Sequence, residues 1–269
     1  MKKNRSIPLY IGITLVVILF IMMITSLFYT PYDPNVMDPQ ARLSPPSLEH
    51  TFGTDNFGRD ILSRVMEGSK TAFLIGTLSV TIGLFFGFLI GALAGYFGGW
   101  IDEVFMRFID AMMAFPGILL AIVLVTVFNT GMQNTIIALG IMSIPSFARI
   151  VRSGFIQVKE FDFVKASKAK GAGSTRIIFK HILPNIMSSI FVAMTLSFSG
   201  SVLAEAGLSY LGLGVQPPDP SWGRMLKEAQ PFIASSPMYL LITGGVIMLM
   251  VLGFNLLSDG IRDVRDKKA

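Results

Sequence analysis

The chain of 269 residues contains no cysteine and only two histidines. Without thiols there is no disulfide, no thiolate zinc site and no cysteine nucleophile, and cysteine usage says nothing about the redox compartment. His50 and His181 lie far apart in sequence, so no imidazole metal cluster is expected. Charge is scarce too: 14% of residues are Asp, Glu, Lys or Arg, against about 25% in an ordinary soluble domain. Also missing is a G-x-x-x-x-G-K-[ST] phosphate loop; Gly68-Ser69-Lys70-Thr71 supplies only its tail, which excludes ATP use by that route. What is present is apolar. Hydrophobic residues make up 52% of the chain, in uncharged runs long enough to cross a hydrocarbon core, which takes about 20 helical residues. The net charge of +5 follows from the basic inner loops of membrane proteins, and nucleic acid is not an expected partner.

The hydropathy pattern predicts an all-α membrane protein with six spans, at 8–28, 71–97, 112–128, 135–151, 185–207 and 237–257. A signal peptide would share the basic flank Lys2, Lys3 and Arg5. However, the first apolar run is full length and no small-x-small site precedes Tyr29, so a retained helix is expected. The uncharged run Ala111–Ala148 is too long for one helix, and the polar break at 129–134 divides it into a hairpin of two. Between the spans lie an N-terminal segment (1–7), two sizeable loops on one side (29–70 and 208–236), and a short and a long loop on the other (98–111 and 152–184). A tail, 258–269, closes the chain. Sixteen Lys and Arg fall on the side of the termini and six on the opposite side, so both termini are expected in the cytoplasm. Gly76, Gly83, Gly87, Gly91 and Gly95 in the second span are expected to let helices approach closely. The 16 methionines are expected to fill gaps in the bundle.

The long inner loop is the most informative segment. A short helix is predicted over 161–170, with Phe163, Ala166 and Ala169 at three-residue spacing and Lys165, Lys168 and Lys170 elsewhere on its surface. Gly171 and Gly173 should end it, and Ser174 is placed to cap a second helix with Ile177, Ile178 and Ile182 on its apolar edge. A basic helical hairpin of this kind suits either docking to another protein or lying on anionic lipid.

Lys165-Ala166-Ser167-Lys168-Ala169-Lys170-Gly171, followed by Ile182-Leu183-Pro184, resembles the E-A-A-x-x-x-G…I-x-L-P loop of ATP-binding-cassette importer permeases. Three positions depart from it: Lys165 stands for Glu, Ser167 for the second Ala, and His181 for the strict Ile. Gly53-Thr54-Asp55-Asn56-Phe57-Gly58-Arg59-Asp60 with Ser63-Arg64, then Met106-Arg107, Asp110 and Phe115-Pro116, are similar to elements of the peptide and nickel permeases. So are Ala204 to Gly214 and the stretch from Pro217 to Gly223. Together they resemble the second, C-type permease subunit of the dipeptide, oligopeptide and nickel importers. The resemblance implies the type I importer permease fold in a bacterial cytoplasmic membrane. It also implies a heterodimer with a homologous permease, two cytoplasmic ATPase subunits that bind the ATP and Mg, and a soluble substrate-binding protein. No cofactor is expected in this chain, and the implied cargo is a peptide, with nickel or a metal chelate as the alternative. Phe163, Lys165, Ala166, Ser167, Ala169, Gly171, Ile182, Leu183 and Pro184 would then form the ATPase coupling loop.

Two further groups are candidates. Ser197, Ser201 and Glu205 recur every four residues along the fifth span and suit a substrate path, although an acid near a span end can also be solvated at the interface. Asp55, Arg59, Asp60 and Arg64 suit i, i+4 ion pairs or contacts with the binding protein. Tyr210 and Trp222 are candidate interface anchors. A polytopic enzyme is disfavoured because no intramembrane serine has a histidine near it. An ion-coupled carrier is disfavoured because Glu205 is the one acid expected within a span and the two halves share no motif.

Overall fold

The computed structural model describes residues 7–266. Lys2, Lys3 and Arg5, with Lys267 and Lys268 at the other end, lie outside the described residues. Five helices are long and apolar enough to cross a membrane, and a sixth crossing is made if a bent pair is taken as one span. These are α1 (Ile7–Ser26), α2 (Ile61–Phe97), the pair α3 (Gly99–Met113) and α4 (Gly117–Phe128), α5 (Met132–Lys159), a rod over Ser174–Leu211, and α10 (Pro237–Asp266). The rod comprises α7 (Ser174–Arg176), a π turn (Ile177–Ile182) and α8 (Leu183–Leu211). Shorter helices are α6 (Asp162–Ala169) and α9 (Trp222–Ala229).

The α2–α5 pair is the spine of the bundle. Gly87, Gly91 and Gly95 face α5, where an added Cβ would lie 2.5 Å from Phe147 Cβ, 2.5 Å from Ala148 O and 2.6 Å from Phe155 Cβ. Lipid supplies no hydrophobic drive between helices, so this closeness of packing is what holds them together. The expectation from the glycine spacing is met. Gly12 and Gly260 similarly let α1 lie against α10, which places the start of α1 beside the last turns of α10.

Several boundaries differ from the sequence reading. The loop predicted over 29–70 ends at Asp60, because the Asp60 carboxylate caps α2 by accepting from Ser63 N and Oγ, at 2.8 and 2.7 Å. Arg64, Glu67 and Lys70 therefore belong to α2. The loop predicted over 98–111 is an amphipathic helix, α3, that meets α4 at 87°, leaving 12 residues to the straight part of the third span. Pro184 starts no new span. It lacks the N–H that an α turn needs, and the turn before it is wound as π, so the rod continues through it. The tail predicted over 258–269 continues α10 as far as Asp266.

The loops gather at the two ends. Residues 29–60 meet α9 at one end through Arg59 and Glu228 (2.7 Å), and there α2 holds the 212–222 stretch, Trp222 Nε1 donating to Val65 O (3.0 Å) and Thr71 Oγ1 to Pro220 O (2.9 Å). Trp222 is 2% exposed, which corrects its expected role as an interface anchor. At the other end, α3, the end of α5 and α6 come together.

Candidate functional site

The hairpin over 160–184 is built around one buried side chain. Val164, 4% exposed, packs with Val158, Ile177 and Ile182 into a cluster shared by α2, α5 and the rod. Phe163, Ala166 and Ala169, which share the expected three-residue spacing, are all exposed. Val164 was missed because a single apolar residue makes no periodic signal. At the end of α6, Gly171 adopts φ +81°. Gly171 N donates to Lys168 O (3.0 Å) and Ala172 N to Ser167 O (3.2 Å), a Schellman closure that a glycine adopts without strain. Gly171 thus ends α6 as expected. Ser174 does not cap: Gly173 occupies the cap position and no side chain serves it.

Two of the motif's departures meet in space. Ser167 Oγ lies 3.2 Å from His181 Nε2, tying α6 to the π turn, and the Phe163 ring packs 6.3 Å from the His181 ring. Lys165, the third departure, is paired with Glu160 at 3.1 Å and is 56% exposed. Ile182 is buried, whereas Pro184 is exposed.

The base beneath the hairpin is pinned to the bundle. Lys159 Nζ donates to Gly95 O (3.0 Å). Arg152 forms a two-pronged bond with Asp102 of α3, and Arg149 pairs with Asp110 at 2.6 Å. The hydrogen bonds from Arg152 hold the Asp102 carboxyl below its usual range, against the opposing effect of burial. The end of α5 is therefore fastened to both α2 and α3.

A cleft of about 400 Å³ opens between α5 and α8, lined by Ser143, Ser146, Ser197, Gly200 and Ser201 among others. The Ser201 hydroxyl is buried there without a hydrogen-bond partner. Glu205 does not join Ser197 and Ser201. It is 2% exposed and accepts from Ser209 Oγ (2.6 Å) and from Ser221 Oγ (2.8 Å). Ser221 also caps α9. Four-residue spacing on a 3.6-residue helix drifts by about 40° per step, which carries the acid off the cleft face. Its observed contacts fasten the 212–221 segment onto α8.

Asp55, Arg59, Asp60 and Arg64 are likewise buried rather than presented to a partner. Asp55 Oδ2 accepts from Arg59 Nε (2.6 Å) and faces Arg64 Nε at 3.5 Å, while Glu228 of α9 lies 2.7 Å from Arg59 and 3.9 Å from Arg64. The expected Asp60–Arg64 pair is not formed. Asp60 caps α2 and bonds His50 Nδ1 (2.9 Å), and Arg64 donates to Pro34 O (3.0 Å). Burial inside this network withdraws all four side chains from contact with a binding protein.

A multi-pass helical bundle with a glycine-closed hairpin at one end and a serine-lined cleft between two long helices is the architecture of a membrane permease component. The chain belongs to the family of binding-protein-dependent transport system inner membrane components, whose pattern matches residues 87–269. In that family ATP is hydrolysed by separate subunits, and the permease works with them and with a binding protein. The chain is 43% identical to a dipeptide transport system permease protein, DppC, of Alkalihalophilus pseudofirmus, over all of this chain and 88% of the relative. It is 42% identical to a glutathione transport system permease protein, GsiD, of Pectobacterium atrosepticum, over 90% of this chain and 80% of the relative. Among solved structures, an inward-facing MetNI methionine ABC transporter matches with a TM-score of 0.58 at 21% identity, covering 77% of this chain and 95% of that one. An amino acid ABC transporter matches with a TM-score of 0.58 at 18% identity, covering 77% and 94%. At such identities the shared property is the type I importer fold.

Proposed function

We propose that this chain is one half of the translocation pathway of an ATP-driven importer for short peptides in a bacterial cytoplasmic membrane, with both termini and the 160–184 hairpin in the cytoplasm. The observation that carries the cargo is similarity at 42–43% identity, over 90% or more of this chain, to dipeptide and glutathione permeases, both of whose cargoes contain peptide bonds. The orientation rests on the Lys and Arg distribution. ATP and Mg would be bound by two ATPase subunits, one gripping this hairpin. Closure of the ATPases would move α6, and the Ser167–His181 contact and the Val164 cluster would pass the motion to the rod. The α5–α8 cleft would then change access.

The cleft is open on one side. On the outer face of α8, an added Cβ at Gly200 or Gly207 would meet nothing within 4 Å, and Leu203 is exposed between them. That face suits a homologous second permease, which would supply the other wall. Substrate would pass Ser197 and Ser201, whose hydroxyls can serve the amides of varied peptides without selecting a side chain.

The test is reconstitution in liposomes with the second permease, the ATPases and the binding protein. Uptake of a labelled dipeptide that requires ATP, and that unlabelled glutathione or dipeptide suppresses, is the expected result. Uptake of nickel but of no peptide would overturn the cargo, and labelling of a Lys168→Cys variant by an impermeant maleimide in intact cells would overturn the orientation.

A further inference from the structure

Most of the hairpin's positive charge has no carboxylate partner among the described residues. Residues 160–182 hold five cations (Lys165, Lys168, Lys170, Arg176 and Lys180) against two carboxylates, Glu160 and Asp162. Lys165 is paired with Glu160, whereas Lys168, Lys170, Arg176 and Lys180 form no ion pair among the described residues and all four are exposed. The same surface presents apolar rings: Phe161, Phe163 and Phe179 are 42%, 44% and 57% exposed. Rings standing clear of the bundle among unpaired ammonium and guanidinium groups make a surface with an apolar centre and a cationic rim.

We propose that the ATPase subunit seated on this hairpin has a groove with an apolar floor for Phe163 and a rim of carboxylates that meets Lys165, Lys168 and Lys170. This rests on the importer reading above and specifies the chemistry of the partner within it. The argument turns on Lys168 and Lys170, which are exposed and form no ion pair among the described residues. Like charges brought together at an interface are disfavoured by several kcal/mol. A groove with a basic rim would therefore reject this hairpin. Charge of this kind sets partner choice and encounter rate more than final affinity.

The lipid surface is the other anionic candidate, and the geometry disfavours it. Val164 faces inward and Phe163 outward on a helix whose C-terminal turn is closed by Gly171. The cations of α6 are spread around Phe163, Ala166 and Ala169 rather than gathered on one side of an apolar stripe, as a helix lying in the headgroup plane requires.

The complete complex, purified in detergent, tests this with a zero-length carbodiimide, which joins an amine to a carboxylate already in contact with it. Mass spectrometry is expected to find Lys165, Lys168 or Lys170 joined to Asp or Glu of an ATPase subunit. Reversing all three (Lys165→Glu, Lys168→Glu, Lys170→Glu) should weaken ATPase retention roughly tenfold or more, while the three Lys→Arg changes keep it. All three sites are exposed, so the bundle should fold normally. If a longer amine–amine reagent joins these lysines to the ATPase while the carbodiimide does not, the hairpin is docked on a groove that is not acidic, and the proposal fails with the importer reading intact. If neither reagent joins them in a complex that contains the ATPases, the hairpin lies elsewhere, as on anionic lipid, and the proposal also fails. A chain that never retains ATPase subunits would sink both readings.

Discussion

The two ends of the molecule treat charge in opposite ways. At the end formed by 29–60 and α9, Asp55, Arg59, Arg64 and Glu228 neutralise one another within a buried network that joins two loops distant in sequence. At the other end, the hairpin leaves Lys168, Lys170, Arg176 and Lys180 exposed with no ion-pair partner among the described residues. Charge turned inward welds loops to the bundle, whereas charge turned outward leaves interaction energy for another chain. The largest expected effect breaks the weld. Asp55→Ala leaves Arg59 and Arg64 buried with half their compensation, which costs about 3–5 kcal/mol. Thermal unfolding of the purified protein should show this loss, whereas Lys170→Ala, at the exposed end, should shift stability by no more than about 0.5 kcal/mol. Equal losses would erase the distinction between the ends.

The spine between the two ends should respond nearly as strongly. Gly87→Leu places a side chain where Phe147 Cβ already lies 2.5 Å from an added Cβ, and overpacking of this kind typically costs about 1–3 kcal/mol. A shorter detergent half-life of the folded chain checks it. Gly171→Val is expected to cost less in stability, about 1–2 kcal/mol, because a left-handed residue is asked to carry a Cβ. Its main consequence should be functional: ATPase activity that no longer responds to loaded binding protein, in a chain that still inserts. Normal stimulation would mean that the turn at Gly171 transmits nothing.

The sequence showed these regions unequally, for physical reasons. Apolar runs and close-packing glycines report directly on a bilayer and on helix contact, so the spans and the α2–α5 seam were legible. Arg64, Glu67 and Lys70 read as loop because charge usually signals water. Their place in α2 depends on a cap at Asp60 and on partners such as Glu228, more than 150 residues away. Trp222 and Glu205 were misplaced for a related reason: each is fixed by a contact between segments, with Val65 O and with Ser221, that no local pattern encodes. On the hairpin, Gly171 was legible because a positive φ nearly demands glycine. The outward turn of Phe163 was not, since helical spacing fixes which residues share a face but not which way that face points.

The smallest effect sharpens the comparison where the exposed end is anchored. Asp102 titrates below its ordinary value because Arg152 hydrogen-bonds its carboxylate. In the unfolded chain Asp102 returns to about 3.9, so below that pH the unfolded state binds the extra proton and the contribution shrinks as pH falls through the folded value. Above about pH 5 it is fully present, and the arginine adds no dependence because its titration lies far to the alkaline side. The pair is partly solvated, with side chains 20% and 34% exposed, so its contribution is at most about 1 kcal/mol. Asp102→Asn should therefore lower the unfolding temperature by a small amount that is constant from neutrality to about pH 5 and disappears in stronger acid. A difference that grew on acidification would mean that the α3–α5 contact is held by something other than this pair.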